Sequence, residues 1–394
     1  MKASVFSRPT LLLGIALQLT LIPLMPTTVR AANIPVCDIV QPFIDRGEVA
    51  GVVFLVSTKD GPVTCQALGY ADRAADRAMM PDSLFWIASQ SKPITATAVM
   101  MLVDEGKIDL DAPVEKYLPE FKGQKMEAGK DASGAVILKS PSHPITVREV
   151  LSHTSGLPFK SKVEEPTMDA SPLKAAVASY AATPLLWEPG GKYLYSNAGI
   201  NTAARIIEVV TGKKYESFMD TRLFKPLGMK DTTFWPSKKQ LKRLATPYKP
   251  NAAKTALEPT TIGQLQYPLD DRKKRFPMPA GGLFSTASDV SVFCQMILNG
   301  GEWKGRRYLS EKAVKEMTRR QTPSEMKESY GLGWTAGPVF GHGGALATGM
   351  SIDPQSGLIN VWLVQHAGFI GDGAKAQGVF RKAATEMFGS GKSL

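Results

Sequence analysis

The residues Phe85-Trp86-Ile87-Ala88-Ser89-Gln90-Ser91-Lys92-Pro93 run straight into Ile94-Thr95-Ala96-Thr97-Ala98-Val99-Met100-Met101-Leu102. In a helix, a serine and a lysine three positions apart share a face. Ile94, Ala98, Met101 and Leu102 keep the helical apolar period, so the spacing predicts a buried helix headed by Ser89 and Lys92. Pro93 suits its first turn, where a missing N–H costs least, and Gly106 is its stop signal. A hydroxyl at its free pKa is a poor nucleophile, and a base held beside it activates it. Ser-x-x-Lys recurs at Ser171/Lys174 and Ser324/Lys327. Ser171 reads as a helix cap and Ser324 lies in a polar stretch without apolar period, so only the first pair heads a buried helix.

Upstream, Lys2 and Arg8 precede an apolar run from Leu11 to Leu24, and Val29-Arg30-Ala31 offers a cleavage site. This pattern is that of a secretory signal peptide cut after Ala31, so the expected location is periplasmic or secreted. The run is short for a membrane span and contains Gln18 and Pro23, and no lipid anchor is read at Cys37. The 394 residues carry a formal charge of +11; removing Lys2, Arg8 and Arg30 leaves 11 − 3 = +8. The basic clusters Lys238-Lys239, Lys242-Arg243 and Arg272-Lys273-Lys274-Arg275 sit in turn-like stretches without aromatic interleaving. They read as solvated loops, not as a nucleic-acid surface. His143, His153, His342 and His366 lack zinc-type spacing, so no metal or cofactor is expected. Cys37 and Cys65 are left open between a disulfide and two free thiols, whereas Cys294 falls on an apolar helix face with Val290, Phe293 and Ile297. Oligomeric state is not legible.

Along the remaining chain, Asp38 is read as the cap of a short helix. Gly51–Val56 and Val63–Leu68 form a predicted hairpin about Lys59-Asp60-Gly61-Pro62. Residues 122–144 read as an exposed excursion. Thr146-Val147-Arg148-Glu149 is a capping box, and helices are predicted over Leu173–Tyr180 and Ala198–Val210. A Pro-rich basic connection follows from Thr246 to Pro279, then a helix capped by Ser288. Gly331–Trp334, Val339–His342, Ala347–Ile352 and Leu358–Gln365 read as strands, and Lys375–Met387 as a last helix. Strands at both ends with helices between predict an α/β (α+β) fold, an antiparallel sheet flanked by helices. The expected organisation is a domain over 32–390, with one lobe from 37–110 and 278–390 and an inserted all-helical lobe over 111–277.

Two further constellations stand out, Tyr195-Ser196-Asn197 and His342-Gly343-Gly344-Ala345. With Ser89-x-x-Lys92, in that order, they resemble the serine β-lactamase and penicillin-binding protein family. The likeness is nearest to class C β-lactamases and their D,D-peptidase and esterase relatives. Gly69-Tyr70-Ala71-Asp72, His153-Thr154-Ser155-Gly156-Leu157, Glu188-Pro189-Gly190-Gly191 and Ala280-Gly281-Gly282-Leu283 extend it across most of the chain. The resemblance implies a β-lactamase/transpeptidase-like fold and an acyl-enzyme on Ser89, with Lys92 and Tyr195 sharing the proton work. It implies that Asn197, His342, Gly343, Gly344 and Ala345 bind substrate, with the backbone N–H groups of Ser89 and Ala345 as oxyanion hole. Most β-lactamases and transpeptidases carry Lys-Thr-Gly where this chain has His342-Gly343-Gly344, so the permanent charge that would hold a substrate carboxylate is replaced by an imidazole. The expected substrate is therefore a small ester, an amide or a D-amino-acid peptide. A β-lactam or a peptidoglycan-like peptide is the alternative, and a non-catalytic wall-peptide binder the third reading. His153 reads as a turn residue and His366 as exposed. Gly349-Met350-Ser351-Ile352-Asp353 misses the G-x-S-x-G elbow at its last position, and Gly389–Ser393 lacks the first glycine of a phosphate loop.

Overall fold

A computed structural model describes residues 35–389. The signal-peptide reading and most of the Gly389–Ser393 stretch lie outside them. The longest sheet is built from the two ends of this span. Strands β1 (Gly51–Thr58), β2 (Gly61–Asp72) and β3 (Arg77–Ala78) come early; β4 (Phe340–Gly343), β5 (Gly349–Asp353) and β6 (Leu358–Leu363) come late. Their order is β4-β5-β6-β1-β2-β3, and every pairing is antiparallel. The β1–β2 hairpin forms about the predicted turn, with Leu55 opposite Cys65.

Val52 to Val56 and Leu358 to Leu363 are buried without alternation, because helices cover both faces of the sheet. Phe54 lies opposite Trp362, and both rings pack on Phe380 of the last helix, Ala376–Phe388. On the other face, Val53, Leu55, Val361 and Leu363 join the core with Val290 and Phe293 of the helix Ala287–Leu298. Cys294 is buried there, as its apolar position predicts, and Cys37, Cys65 and Cys294 are all free thiols.

Helix α1 spans Pro35–Asp45 and α2 spans Ser91–Asp104, and α2 is buried from Ser91 to Leu102. Helix α3 (Val147–Ser152) opens on the complete Thr146/Glu149 capping box. Helices α4 (Leu173–Ala181) and α5 (Asn197–Thr211) follow, and α5 packs on α2, α3 and α4.

Several local expectations change. Asp38 lies inside α1, because the helix begins three residues earlier. The helix over 287–298 is capped by Thr286, whose hydroxyl accepts the Asp289 N–H, and not by Ser288. Pro172 stands at the N-cap of α4, while the Ser171 hydroxyl donates to the Val163 carbonyl. The exposed excursion is a β-ribbon, Met126–Lys130 against Val136–Lys139. A second ribbon, Tyr248–Pro250 against Leu257–Pro259, lies in the Pro-rich connection. The stretch between residues 111 and 277 is therefore not wholly helical. Gly331–Trp334 is not a strand but a bend, in which Gly333 takes φ +76° and comes against Ala96 and the Lys92 carbonyl of α2. Arg275 is not solvated: it is buried, and its Nε donates to Asp169 Oδ2 at 2.6 Å. His366 is buried too, accepting the Ala50 N–H and stacking on Phe369.

Candidate active site

Ser89 sits on a 3-10 turn, Ala88–Gln90, that leads into α2, and so it stands just before the helix and not within it. Ala88 is held at φ +46°, an uncommon conformation for a residue with a Cβ. The turn leaves Ser89 half-buried on the wall of a cleft of about 390 Å3. Lys92, one turn on and fully buried, places its Nζ 2.9 Å from Ser89 Oγ. Its other partners are Asn197 Oδ1 at 2.8 Å and the Ala280 carbonyl at 2.9 Å. Burial drives the Lys92 pKa well below the usual ammonium range.

Asn197 is the first residue of α5, and Ser196 before it caps that helix by accepting the Gly199 N–H. The cap fixes the direction in which Tyr195 leaves the loop. Tyr195 lines the same cleft as Ser89, near enough for the serine to act on its phenol, and its ring lies under Lys92, with Nζ 4.5 Å from the centroid. Burial pushes the phenol up to about 12, against an opposing pull from Ser89. Three segments remote in sequence thus bring one hydroxyl, one amine and one phenol together.

His342 comes from β4, the sheet edge beside the cleft. Its Nδ1 is 2.7 Å from the Gly343 carbonyl, which can only accept, so Nδ1 carries the proton. Nε2 is then left to accept from the Tyr330 hydroxyl at 2.9 Å. Burial, and secondarily a charge on Lys92, hold this imidazole down to about 3, so it is neutral at pH 7. Gly343, Gly344 and Ala345 continue along the cleft wall. A Cβ on Gly344 would fall 2.2 Å from Thr348 Oγ1 and 2.6 Å from the Ile87 carbonyl, so this position admits only glycine.

Tyr330, Phe159 and Met278, which the sequence pattern does not mark, complete the aromatic and apolar wall with Trp86, which stands inside the quoted Ser89 stretch, and Tyr193, two residues before Tyr195. The sequence reading places His153 in a turn, which is correct for the backbone: His153 ends α3 at φ +62°. Its side chain, however, is buried against Tyr195 and Tyr330, with ring centroids 4.6 and 4.7 Å away, and Nδ1 accepts the Ser196 N–H. The phrase His153–Leu157 was visible in sequence, whereas nothing in the pattern around Tyr330 marks it. Ser351 lies in β5 opposite Gly341 and not on a turn, and it does not line the cleft.

A beta-lactamase family profile matches residues 36–384. The chain belongs to the beta-lactamase family. An uncharacterized Mycobacterium tuberculosis protein is 31% identical over 357 residues, covering 82% of this chain and 87% of its own length. A Salmonella agona protein with a provisional D-alanyl-D-alanine carboxypeptidase name is 29% identical over 370 residues, with 82% and 80% covered. Among solved structures, EstCE1, described as a hydrolase with promiscuous acyltransferase activity, superposes with a TM-score of 0.72 at 24% identity, covering 88% of this chain and 97% of its own. That likeness shows the β-lactamase/transpeptidase fold. Members of this beta-lactamase family are serine hydrolases.

Among the described residues, no helix is long and apolar enough to cross a membrane, and no group of three or more His, Cys, Asp or Glu is placed to hold a metal ion.

Proposed function

We propose that this protein hydrolyses esters with uncharged acyl groups through an acyl-enzyme on Ser89. The observation that carries the reading is the setting of Lys92. A neutral amine has two N–H bonds and one lone pair. Two fixed carbonyl oxygens, Asn197 Oδ1 and Ala280 O, take the two N–H bonds, and the lone pair then faces Ser89 Oγ. Ser89 attacks the ester carbonyl as its proton passes to the Lys92/Tyr195 pair. The resulting oxyanion is held by the N–H groups of Ser89 and Ala345, an arrangement whose donors are each worth about 10²–10³ in rate. The protonated pair returns the proton to the leaving alkoxide, and water then releases the acid by the reverse sequence. The proton belongs to the pair and is assigned to neither member. Asn197, His342, Gly343 and Gly344 would position the acyl group.

The acyl preference rests on the wall. No Asp, Glu, Lys or Arg is among the described residues lining the cleft, and His342 is neutral. A substrate carboxylate would lose its water there without gaining a cation. The second reading, a D,D-carboxypeptidase or β-lactamase, takes its support from the name of the Salmonella relative. Export through residues 1–31 is part of the same proposal.

Protein lacking residues 1–31 is assayed, with Ser89→Ala beside it, on p-nitrophenyl esters, a chromogenic cephalosporin and a D-Ala-D-Ala peptide. Ester turnover that falls about a thousandfold or more in the variant is expected. Preferential peptide or cephalosporin turnover moves the assignment to the second reading. A stable penicillin adduct without turnover of any substrate makes the protein a binder.

A further inference from the structure

We infer that Asn201 is a positioning residue for this chemistry, acting on Lys92 through the backbone of Ala280; the inference rests on the reading of Lys92 given above. Asn197 and Asn201 lie one helical turn apart on α5 and share a face. Asn197 meets the amine directly. Asn201, which is buried, accepts the Ala280 N–H on its Oδ1 at 3.1 Å.

The segment Pro279–Gly282 is held peptide by peptide. In the first plane, the Pro279 carbonyl accepts from Thr95 Oγ1 at 2.8 Å while the Ala280 N–H donates to Asn201. In the second, the Ala280 carbonyl accepts from Lys92 at 2.9 Å while the Gly281 N–H donates to the Met278 carbonyl at 3.0 Å. In the third, the Gly281 carbonyl accepts from Trp86 Nε1 at 2.7 Å while the Gly282 N–H donates to Met278 O at 2.7 Å. Asn201 and Thr95 therefore grip opposite edges of one rigid plane, from α5 and α2. Releasing the Asn201 edge lets that plane swing about its Thr95 bond. The swing is passed through the Ala280 Cα to the carbonyl that receives Lys92, and a hydrogen bond at 2.9 Å tolerates little misdirection.

The carboxamide is itself fixed. The Ala280 N–H can only donate, so Oδ1 is the atom that faces it, and Nδ2 then donates to the Tyr180 hydroxyl at 3.0 Å. Tyr180, on α4, is buried and lies beside the buried carboxyl of Glu164, whose Oε2 accepts the Ser161 N–H. A chain of buried polar groups thus runs from a turn at the molecular edge, through α4 and α5, to the amine. None of these three side chains lines the cleft, so none touches substrate.

The test uses Asn201→Ala and Tyr180→Phe, with p-nitrophenyl butyrate as substrate, thermal unfolding as the check of the fold, and Lys92→Ala as control. In Asn201→Ala, kcat is expected to fall about 10- to 100-fold, with KM within about twofold of the parent. Tyr180→Phe, which removes one oxygen and leaves Asn201 Nδ2 without the partner that steadies it, is expected to give a smaller fall in kcat alone. A folded Asn201→Ala protein with parental kcat overturns the inference, and so does a loss shared equally by kcat and KM. If Asn201→Ala does not fold, parental kcat in Tyr180→Phe overturns it instead. Should Lys92→Ala turn over like the parent, the reading of Lys92 has failed. Loss in Lys92→Ala beside parental Asn201→Ala places the failure in this inference alone.

Discussion

Buried basic side chains set the pH behaviour of this protein at the scale of single residues. His366 is held down to about 4 by burial, against an unfolded value near about 6.5. Between those values the unfolded chain binds a proton that the folded chain refuses, so stability is whole above about pH 6.5 and declines as the pH falls toward 4. The gap corresponds to about 3 kcal/mol at most. Between pH 7 and pH 4.5 the urea midpoint should fall less in His366→Gln, whose carboxamide can still accept the Ala50 N–H, than in the parent, with the buried His153 and His342 keeping a residual fall in both. An equal drop in parent and variant would show that His366 is not the group responsible. The contrast between His366 and Ser89 explains what the sequence reveals at this scale. Ser89, Lys92, Tyr195, Asn197 and His342 belong to short ordered phrases whose residue types make sense together. The burial of His366 and the Tyr330–His342 bond depend on which strand end meets which loop, and no local pattern carries that.

Neighbouring glycines on one strand end carry different structural demands, and this decides the outcome at the scale of elements. At Gly344 a methyl group would strike both Thr348 and the Ile87 backbone beside Ser89, whereas at Gly343 the nearest atom, the Thr348 carbonyl, is 3.6 Å away. Gly344→Ala should cost about 1–3 kcal/mol and lower the melting temperature by several degrees, with loss of ester turnover. Gly343→Ala should melt with the parent. Calorimetry of the two variants checks this, and equal melting would refute the packing read at Ile87. Element positions were legible wherever apolar period and punctuation agreed. The run Ile94–Leu102 stops before Gly106, and the Thr146 box opens α3. Ends were misread where several capping residues compete, as at Thr286 and Ser288. The 122–144 stretch concealed a ribbon because, Met126 aside, its strand residues are exposed, and a strand with no buried side has no alternation to show.

For the molecule as a whole, the long connection over residues 246–279 is anchored through one buried ion pair. Arg275 donates to Asp169 and to the Phe234 and Leu269 carbonyls. Asp169→Ala strands the guanidinium without its counter-charge and should destabilise by about 3–5 kcal/mol, read from denaturant midpoints. The double variant Asp169→Leu/Arg275→Met should recover part of that loss, and a double variant as unstable as the single would argue against charge burial as the cause. In sequence, Arg275 was one of four basic residues in a row, and a partner more than a hundred positions away leaves no periodic trace. The sheet order bears on synthesis. Its centre joins Val53 to Leu363, so the platform behind α2 closes only when the final strands have left the ribosome. A nascent chain carries Ser89 and Lys92 long before it owns the strand bearing His342. If Ser89 and the His342 strand act together as proposed, a chain truncated ahead of residue 340 is expected to show no ester turnover, however much of it has been made.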